Sequence, residues 1–527
     1  MLFTLIDKLG EWNPQLFREL KGRFKVRNLV ITIGCALMFQ GIILLLCSEQ
    51  DCLASNSYSC TEFDWEIQWQ YLFVTLNWML PLTLLVGGVY QIINDLAKEE
   101  YKGTLNFIRL SPQSSQSILT GKILGVPALI YLGVFLVIPL HFVSALAAGL
   151  PLGWILAFYT LWAAACSLFY SAACLYSLMC SSQNNSQLNH NSLAGLGILV
   201  ALSAGSPLIS MIHYSFELYQ SSELRHWYWF FLPLGNKPLL TYIWMMITFS
   251  VATHWIWQGV NRRFGNPNKT LISKSQSYWL VACFQIWLLG FFLPASNSFV
   301  SQSYLIIGFT FVFFLSPFLF LILIAALSPH RQNLLDWARY RHQINSERKR
   351  SLVKELIWGE KSPALVAIAI NLLITLVIWL PWILLLPESA YRQSDLPIQE
   401  AIMGLFLTLN LILIYGAIAQ IMLFMKTSKR GIWAASTLIT VMVLPMLLVG
   451  LLALEKMKIP FLWTLSPMPI LVFMNGSTLT ALLGLLSQLG ILGLLTWRLT
   501  RQLQKAGESA SKALFAANYS TGMSTLN

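Results

Sequence analysis

The chain has 527 residues, of which 56% are hydrophobic and only 11% charged, with a formal net charge of +12. Soluble domains carry about 25% charged residues, so a water-soluble fold could not cover this much apolar surface, and lipid is the expected solvent. The excess Lys and Arg sit in short loops between apolar runs, where they orient spans and face anionic headgroups; this argues against nucleic acid as a partner.

Residues 1–28, MLFTLIDKLGEWNPQLFRELKGRFKVRN, place Leu5, Leu9, Trp12, Leu16, Phe17 and Leu20 at roughly helical spacing among basic residues. That predicts an amphipathic helix lying on the membrane surface, with no cleavable leader before it. Apolar windows of about twenty residues mark spanning helices. They fall near 29–48, 69–93, 123–149, 154–180, 194–212 and 239–258, then near 279–295, 304–328, 364–387, 400–426, 432–454 and 476–497. The fold class expected is an all-α integral membrane protein of about twelve transmembrane helices. The windows group into two unequal six-helix halves, 29–275 and a diverged 276–500, with a tail at 501–527.

Loop charge sets the orientation. Lys8, Arg18, Lys21, Arg23, Lys25 and Arg27 precede the first window; Lys98, Lys102, Arg109 and Lys122 follow the second. Further Lys and Arg cluster at 261–274 and 329–361. All fall on one side, which is read as cytoplasmic together with both termini, in an inner (plasma) membrane. The 49–68 loop has Glu49, Asp51, Glu62, Asp64 and Glu66 and no Lys or Arg, and lies opposite. Cys52 and Cys60 share that loop; a disulfide and two free thiols both remain open. The other stretches on that side, 213–238 and 456–474, are aromatic and broken by Pro and Gly. They read as re-entrant or interfacial segments, or as plain loops with an aromatic belt.

The 94–122 loop stands out between two apolar runs. Asp95 to Tyr101 continues the second span, Gly103 relieves that helix, and Thr104 caps a short one. Leu105, Phe107, Ile108 and Leu110 give that short helix one apolar face; Ser111-Pro112 ends it, and SPQSSQ opens the next helix toward Gly121-Lys122. In the second half, 329–363 takes the same place and ends Gly359-Glu360-Lys361 before a span.

Absences narrow the chemistry. No GxxxxGK[ST], CxxC, HExxH or GxSxG occurs, and no metal-ligand spacing is evident. Gln40, His141, Asn371, Asn410 and Gln420 lie inside windows that hold almost no Asp, Glu, Lys or Arg. Ion-coupled carriers usually need such groups, so energy for uphill movement is expected from another chain.

Glu99, Gly103, Thr104, Leu105, Ser111, Pro112, Gly121 and Lys122 resemble the E-x-x-x-G-T-L … S/T-P … G-K signature of type-2 ABC exporter permeases. NPQLFREL at 13–20 is similar to the connecting helix that opens many of them, and NRRFGNPNKT resembles the stretch after the sixth span in cyanobacterial-type members. The resemblance covers roughly residues 10–275. It implies an ATP-driven exporter permease that is not itself an enzyme and binds no cofactor. ATP and Mg would sit on ABC ATPase (nucleotide-binding) subunits, two of them, with membrane lipids and a second permease copy as further partners. Glu99, Gly103, Thr104, Leu105, Phe107, Ile108, Gly121 and Lys122 would couple to the ATPase. From the residues alone, Glu99 balancing Lys98 and Lys102 on a solvated face stays open. The second loop lacks the signature; there Trp337, Arg339, Tyr340 and Glu355 are candidates for a second coupling loop or a headgroup-binding surface. An ion-coupled secondary carrier or channel, or a non-transporting scaffold, is the alternative function.

Overall fold

A computed structural model describes residues 10–52, 55–56, 59–60, 63–181, 190–220, 228–292, 302–343, 351–385, 397–427, 429–454, 460–475 and 477–507. The start of the amphipathic segment, before residue 10, and the tail beyond residue 507 lie outside the described residues. The chain divides into two compact units, Met1–Trp227 with Pro233–Pro267, and Tyr228–Leu232 with Asn268–Asn527.

The first unit opens with α1 (Pro14–Arg23) and α2 (Val26–Leu46). A small antiparallel ribbon follows, which the all-α expectation does not include. Its strands are β1 (Ser48–Cys52), β2 (Ser55–Asn56), β3 (Ser59–Cys60) and β4 (Phe63–Ile67). β1 pairs with β4 and β2 with β3, so Glu49 opposes Glu66 and Ser55 opposes Cys60. The side chains of Cys52 and Cys60 lie outside what is described, and so does their pairing.

Helix α3 then runs unbroken from Trp69 to Tyr101. Pro81 removes a backbone donor, and the helix widens into a π turn at Thr83–Gly87. The Tyr170 hydroxyl donates to the Leu84 carbonyl in that turn at 2.8 Å. After it come α4 (Thr104–Arg109), α5 (Ser115–Gly125), α6 (Ala128–Ala147), α7 (Leu152–Ser181), α8 (His190–Gln220) and α9 (Pro238–Gly265).

The second unit contains α10 (Lys274–Leu289), α11 (Gln302–Leu327), α12 (Arg331–Gln343), α13 (Leu352–Trp358) and α14 (Leu365–Leu385). Next are α15 (Ile398–Leu423), α16 (Arg430–Leu454), α17 (Val472–Asn475) and α18 (Thr478–Gly507). The proline-rich stretch before α17 forms two 3-10 turns, Pro460–Leu465 and Pro469–Leu471, packed on α15 and α18.

Among the described residues, nine helices are long and apolar enough to cross a membrane. A tenth is bent by 67° where Leu315–Leu327 meets Arg331–Arg341. The remaining sequence windows fall on α8, of which Ala194–Ser210 is a shorter apolar stretch, and on α10.

The two units repeat one packing scheme. In the first, α2 packs on α6, α3 on α6 and α7, and α7 on α8 and α9. In the second, α10 packs on α14, α11 on α14 and α15, and α15 on α16 and α18. In the first unit α3 is the most buried of the membrane-length helices, whereas in the second it is α15. Several polar side chains inside the bundles find a partner: His141 Nδ1 lies 2.7 Å from the Tyr159 hydroxyl, Asn371 donates to Ser277 at 2.9 Å, and Asn410 donates to Gln488 at 3.3 Å. This is what an apolar surround demands, because an unpaired polar group there is costly.

Candidate functional site: an ion-paired knot beneath a short exposed helix

The site begins with Asn13. Its extended backbone and side-chain oxygen cap α1 by accepting from the Leu16 N–H at 3.1 Å, and Pro14 suits the first helical position. The same amide donates to the Ser117 carbonyl of α5 at 2.7 Å, so the cap is also a clasp. α1 buries Gln15, Leu16, Glu19 and Leu20, and packs on α5. Gly121 and Gly125 allow the approach. A Cβ on Gly121 would lie 2.8 Å from the Leu16 nitrogen, and one on Gly125 would lie 2.5 Å from Glu19 Cβ. This is the small-x-x-x-small spacing of close helix pairs. The amphipathic segment therefore packs against protein along its buried face, where the sequence suggested a helix resting on lipid.

Between these helices Lys122 is fully buried. Its Nζ lies 2.7 Å from Glu99 Oε2, 2.8 Å from Asp95 Oδ2 and 3.2 Å from Glu19 Oε1. Asp95 and Glu99 are four apart on the last turns of α3, so both reach the same neighbour. Arg18 pairs with Glu99 at 2.6 Å and with Glu19 at 3.3 Å, and Arg23 with Asp95 at 3.1 Å. Three cations thus balance three carboxylates. Burial by itself pulls the Lys122 ammonium's pKa down; Asp95, Glu19 and Glu99 outweigh it, and the net direction is up from 10.5. The three carboxylates have oxygens close enough together to hold a metal ion, but the ammonium occupies their centre.

Gly103 ends α3 in the left-handed conformation, φ +71°, which favours glycine. It is also the N-cap of α4. Thr104, expected as the cap, is instead the first residue of α4 and donates back to the Glu99 carbonyl at 3.1 Å. Ser114 caps α5 by accepting from Ser117 N at 3.2 Å. The expected single apolar face of α4 is split. Leu105 and Ile108 are buried, whereas Phe107 is 77% and Leu110 83% exposed. On a helix this short, residues three apart share a side, so 105/108 and 107/110 point in different directions. Tyr101, at the end of α3, is likewise exposed. Arg109 anchors α4 sideways: it bonds Asn106 at 2.9 Å, pairs with Glu100 at 3.5 Å and lies 5.6 Å above the ring of Phe264 in α9.

Of the residues singled out from sequence, Glu99 and Lys122 meet directly. Leu105 and Ile108 form the underside of α4, Phe107 its outer side, and Gly121 the α1 contact. The reading of Glu99 as balanced by Lys98 and Lys102 is replaced, since its partners are Lys122 and Arg18. Asn13, Glu19, Arg23, Asp95 and Gly125 were not singled out as site residues. The four-residue spacings Asp95/Glu99, Glu19/Arg23 and Gly121/Gly125 are the signals that point to them.

The second loop is built differently. Trp337 and Arg341 of α12 both donate to Glu355 of α13 at 2.9 Å, while Arg339 and Tyr340 face outward. Lys361, the expected counterpart of Lys122, is exposed. Among the described residues the buried lysine of this unit is Lys274, whose Nζ donates to the Leu356 carbonyl and Ser362 hydroxyl at 2.7 Å and to the Pro363 carbonyl at 3.1 Å. With no carboxylate in that set, burial lowers its pKa to about 8.

Comparison with protein families, characterised proteins and solved structures finds no match, so what the site does is argued from its geometry.

Proposed function

We propose that this chain is the permease subunit of an ATP-driven exporter of the type-2 ABC class. It would have twelve spans, cytoplasmic termini, and a separate nucleotide-binding partner docked on α4. The observation that carries the reading is the contrast within α4. Its underside is held to the long helix α3 through buried Leu105 and Ile108, the Thr104–Glu99 hydrogen bond and the Arg109–Glu100 ion pair, while Phe107, Leu110 and Tyr101 are exposed apolar groups. Exposed apolar groups on a rigid, charge-rimmed helix suit a socket on a soluble protein. The knot ties three elements, α1, α3 and α5, so a push on α4 passes to the bundle as a rigid-body movement. The sequence brings no phosphate-binding loop of its own, which leaves hydrolysis to the partner.

The test is to purify the full chain under mild conditions from its native membrane. Recovery of a nucleotide-binding subunit, and protection of the 99–122 segment from an impermeant label in sealed right-side-out vesicles, are expected. Labelling of that segment from outside, or transport driven by an ion gradient with no ATPase present, would refute the proposal. The ion-coupled alternative draws on one observation, the buried lysine–carboxylate group at the end of α3.

A further inference from the structure

The second unit carries a group of exposed cations that make no ion pair among the described residues. Near its end α18 reads Trp497-Arg498-Leu499-Thr500-Arg501, with Lys505 one turn further on. Arg498, Arg501 and Lys505 share one helical face, and all three are exposed. The Arg501 guanidinium lies 4.1 Å from the centre of the Trp497 ring, and that ring is 56% exposed. α18 contains no Asp or Glu over its whole length.

Two other segments join it. Helix α12 packs on α18 and adds the exposed Arg339. Its first residue, Arg331, donates to the Phe424 carbonyl at 3.1 Å and sits 5.8 Å above that ring, which sets the end of α15 beside α12. The exposed Lys426 and Lys429 follow directly. Arg339, Lys426, Lys429, Arg498, Arg501 and Lys505 make no ion pair among the described residues, whereas Arg341 is held by Glu355 at 2.7 Å.

The setting names the counter-charge. The shaft of α18 before Trp497 is leucine-rich and long enough to cross a membrane, and the path from α11 into α12 turns by 67° where the apolar run ends. An indole at the end of an apolar shaft belongs at the level of lipid headgroups, and unpaired guanidinium and ammonium groups just beyond it meet phosphate there. We infer that the α12–α18 face binds the phosphate headgroup of an anionic phospholipid, with Arg498 and Arg501 on the phosphate and Trp497 on the adjoining glycerol. The inference rests on these helices spanning a bilayer and is independent of which partner drives the chain.

The experiment offers equal amounts of phosphatidylglycerol and phosphatidylcholine to the purified full chain in detergent and counts retained lipids by native mass spectrometry. Wild type retains phosphatidylglycerol preferentially. R498Q/R501Q/K505Q loses that preference, by roughly a hundredfold if each cation contributes about fivefold. K98Q/K102Q, which removes exposed charge from the first unit, keeps it. R501K, which keeps charge but not the planar stack on Trp497, falls between, so a folded variant is available if the triple change disturbs the helix. The inference is overturned by equal retention of both lipids, or by equal loss in K98Q/K102Q. Displacement by inorganic phosphate at matched concentration overturns it too, as does a triple variant that sheds an ATPase subunit while its lipid preference stays unchanged.

Discussion

Among the described residues each unit buries one lysine beside the short helices and loops that follow its second long helix, and the two lysines sit in opposite surroundings. Lys122 is held by three carboxylates that themselves bind Arg18 and Arg23. Lys274 is held by two carbonyls and a hydroxyl. The first is a charge knot centred on a fully buried ammonium, so removing Lys122 strands three carboxylates in a poorly solvated place. The second is a neutral clip that pins the start of α10 to the 356–363 turn. The two units therefore carry two mechanically different connectors, each beside a short helix with exposed apolar residues, Phe107 of α4 in the first and Leu352, Val353 and Trp358 of α13 in the second, and only the first is built round an ion-paired lysine.

The largest effect expected is at the knot. Lys122→Met leaves Glu19, Asp95 and Glu99 facing one another and should cost about 3–5 kcal/mol, read as a lowered thermal midpoint of the detergent-purified protein. A change below 1 kcal/mol would mean that the carboxylates find water or another cation, and the contrast with Lys274 would fail. Next is the α1–α5 approach. Gly125→Val forces side-chain carbon into Glu19, and overpacking of this kind costs about 1–3 kcal/mol. It should also free α1 for proteolysis near residue 13, while the same change at Gly450, which has open space around it, should not.

The pH dependence separates the two lysines by sign. The pKa of Lys122 is raised in the fold, so its contribution is fully present below 10.5 and is lost only as pH climbs through the still higher folded value. That of Lys274 is lowered to about 8, so between pH 8 and 10.5 the unfolded chain binds more protons and this site adds stability as pH rises. Wild type should therefore gain on the order of 2 kcal/mol over that interval relative to Lys274→Met, while Lys122→Met should show the same rise as wild type. A flat wild-type profile would place a carboxylate near Lys274 and remove the contrast.

Much of the bundle was legible from the sequence, because apolar runs of membrane length have few alternatives. The continuation of α3 to Tyr101, the break at Gly103 and the start of α5 after Ser114 follow from local turn and capping chemistry. The knot was not legible. It joins residues 13–23 to 95–122, and from sequence Arg18, Arg23 and Lys122 look like any other orienting charges of a cytoplasmic loop. Nor does hydrophobicity show which of Leu105, Phe107, Ile108 and Leu110 turn inward, since that depends on where α3 presents its last turn. Lys361 stood in the right place in the chain for a second buried lysine, but α13 presents carbonyls toward α10, and Lys274 fills that position.

The central claim is that Phe107 and Leu110 are the grip of a separate motor. The most direct measurement is ATP hydrolysis by the purified complex of the chain with the nucleotide-binding partner proposed for it, comparing wild type with Phe107→Ala/Leu110→Ala. Both residues are exposed, so the thermal midpoint should stay within the equivalent of about 0.5 kcal/mol while the chain's stimulation of hydrolysis falls roughly tenfold or more, as expected when about 1.4 kcal/mol or more of docking is lost. Undiminished stimulation in the double variant would contradict the account.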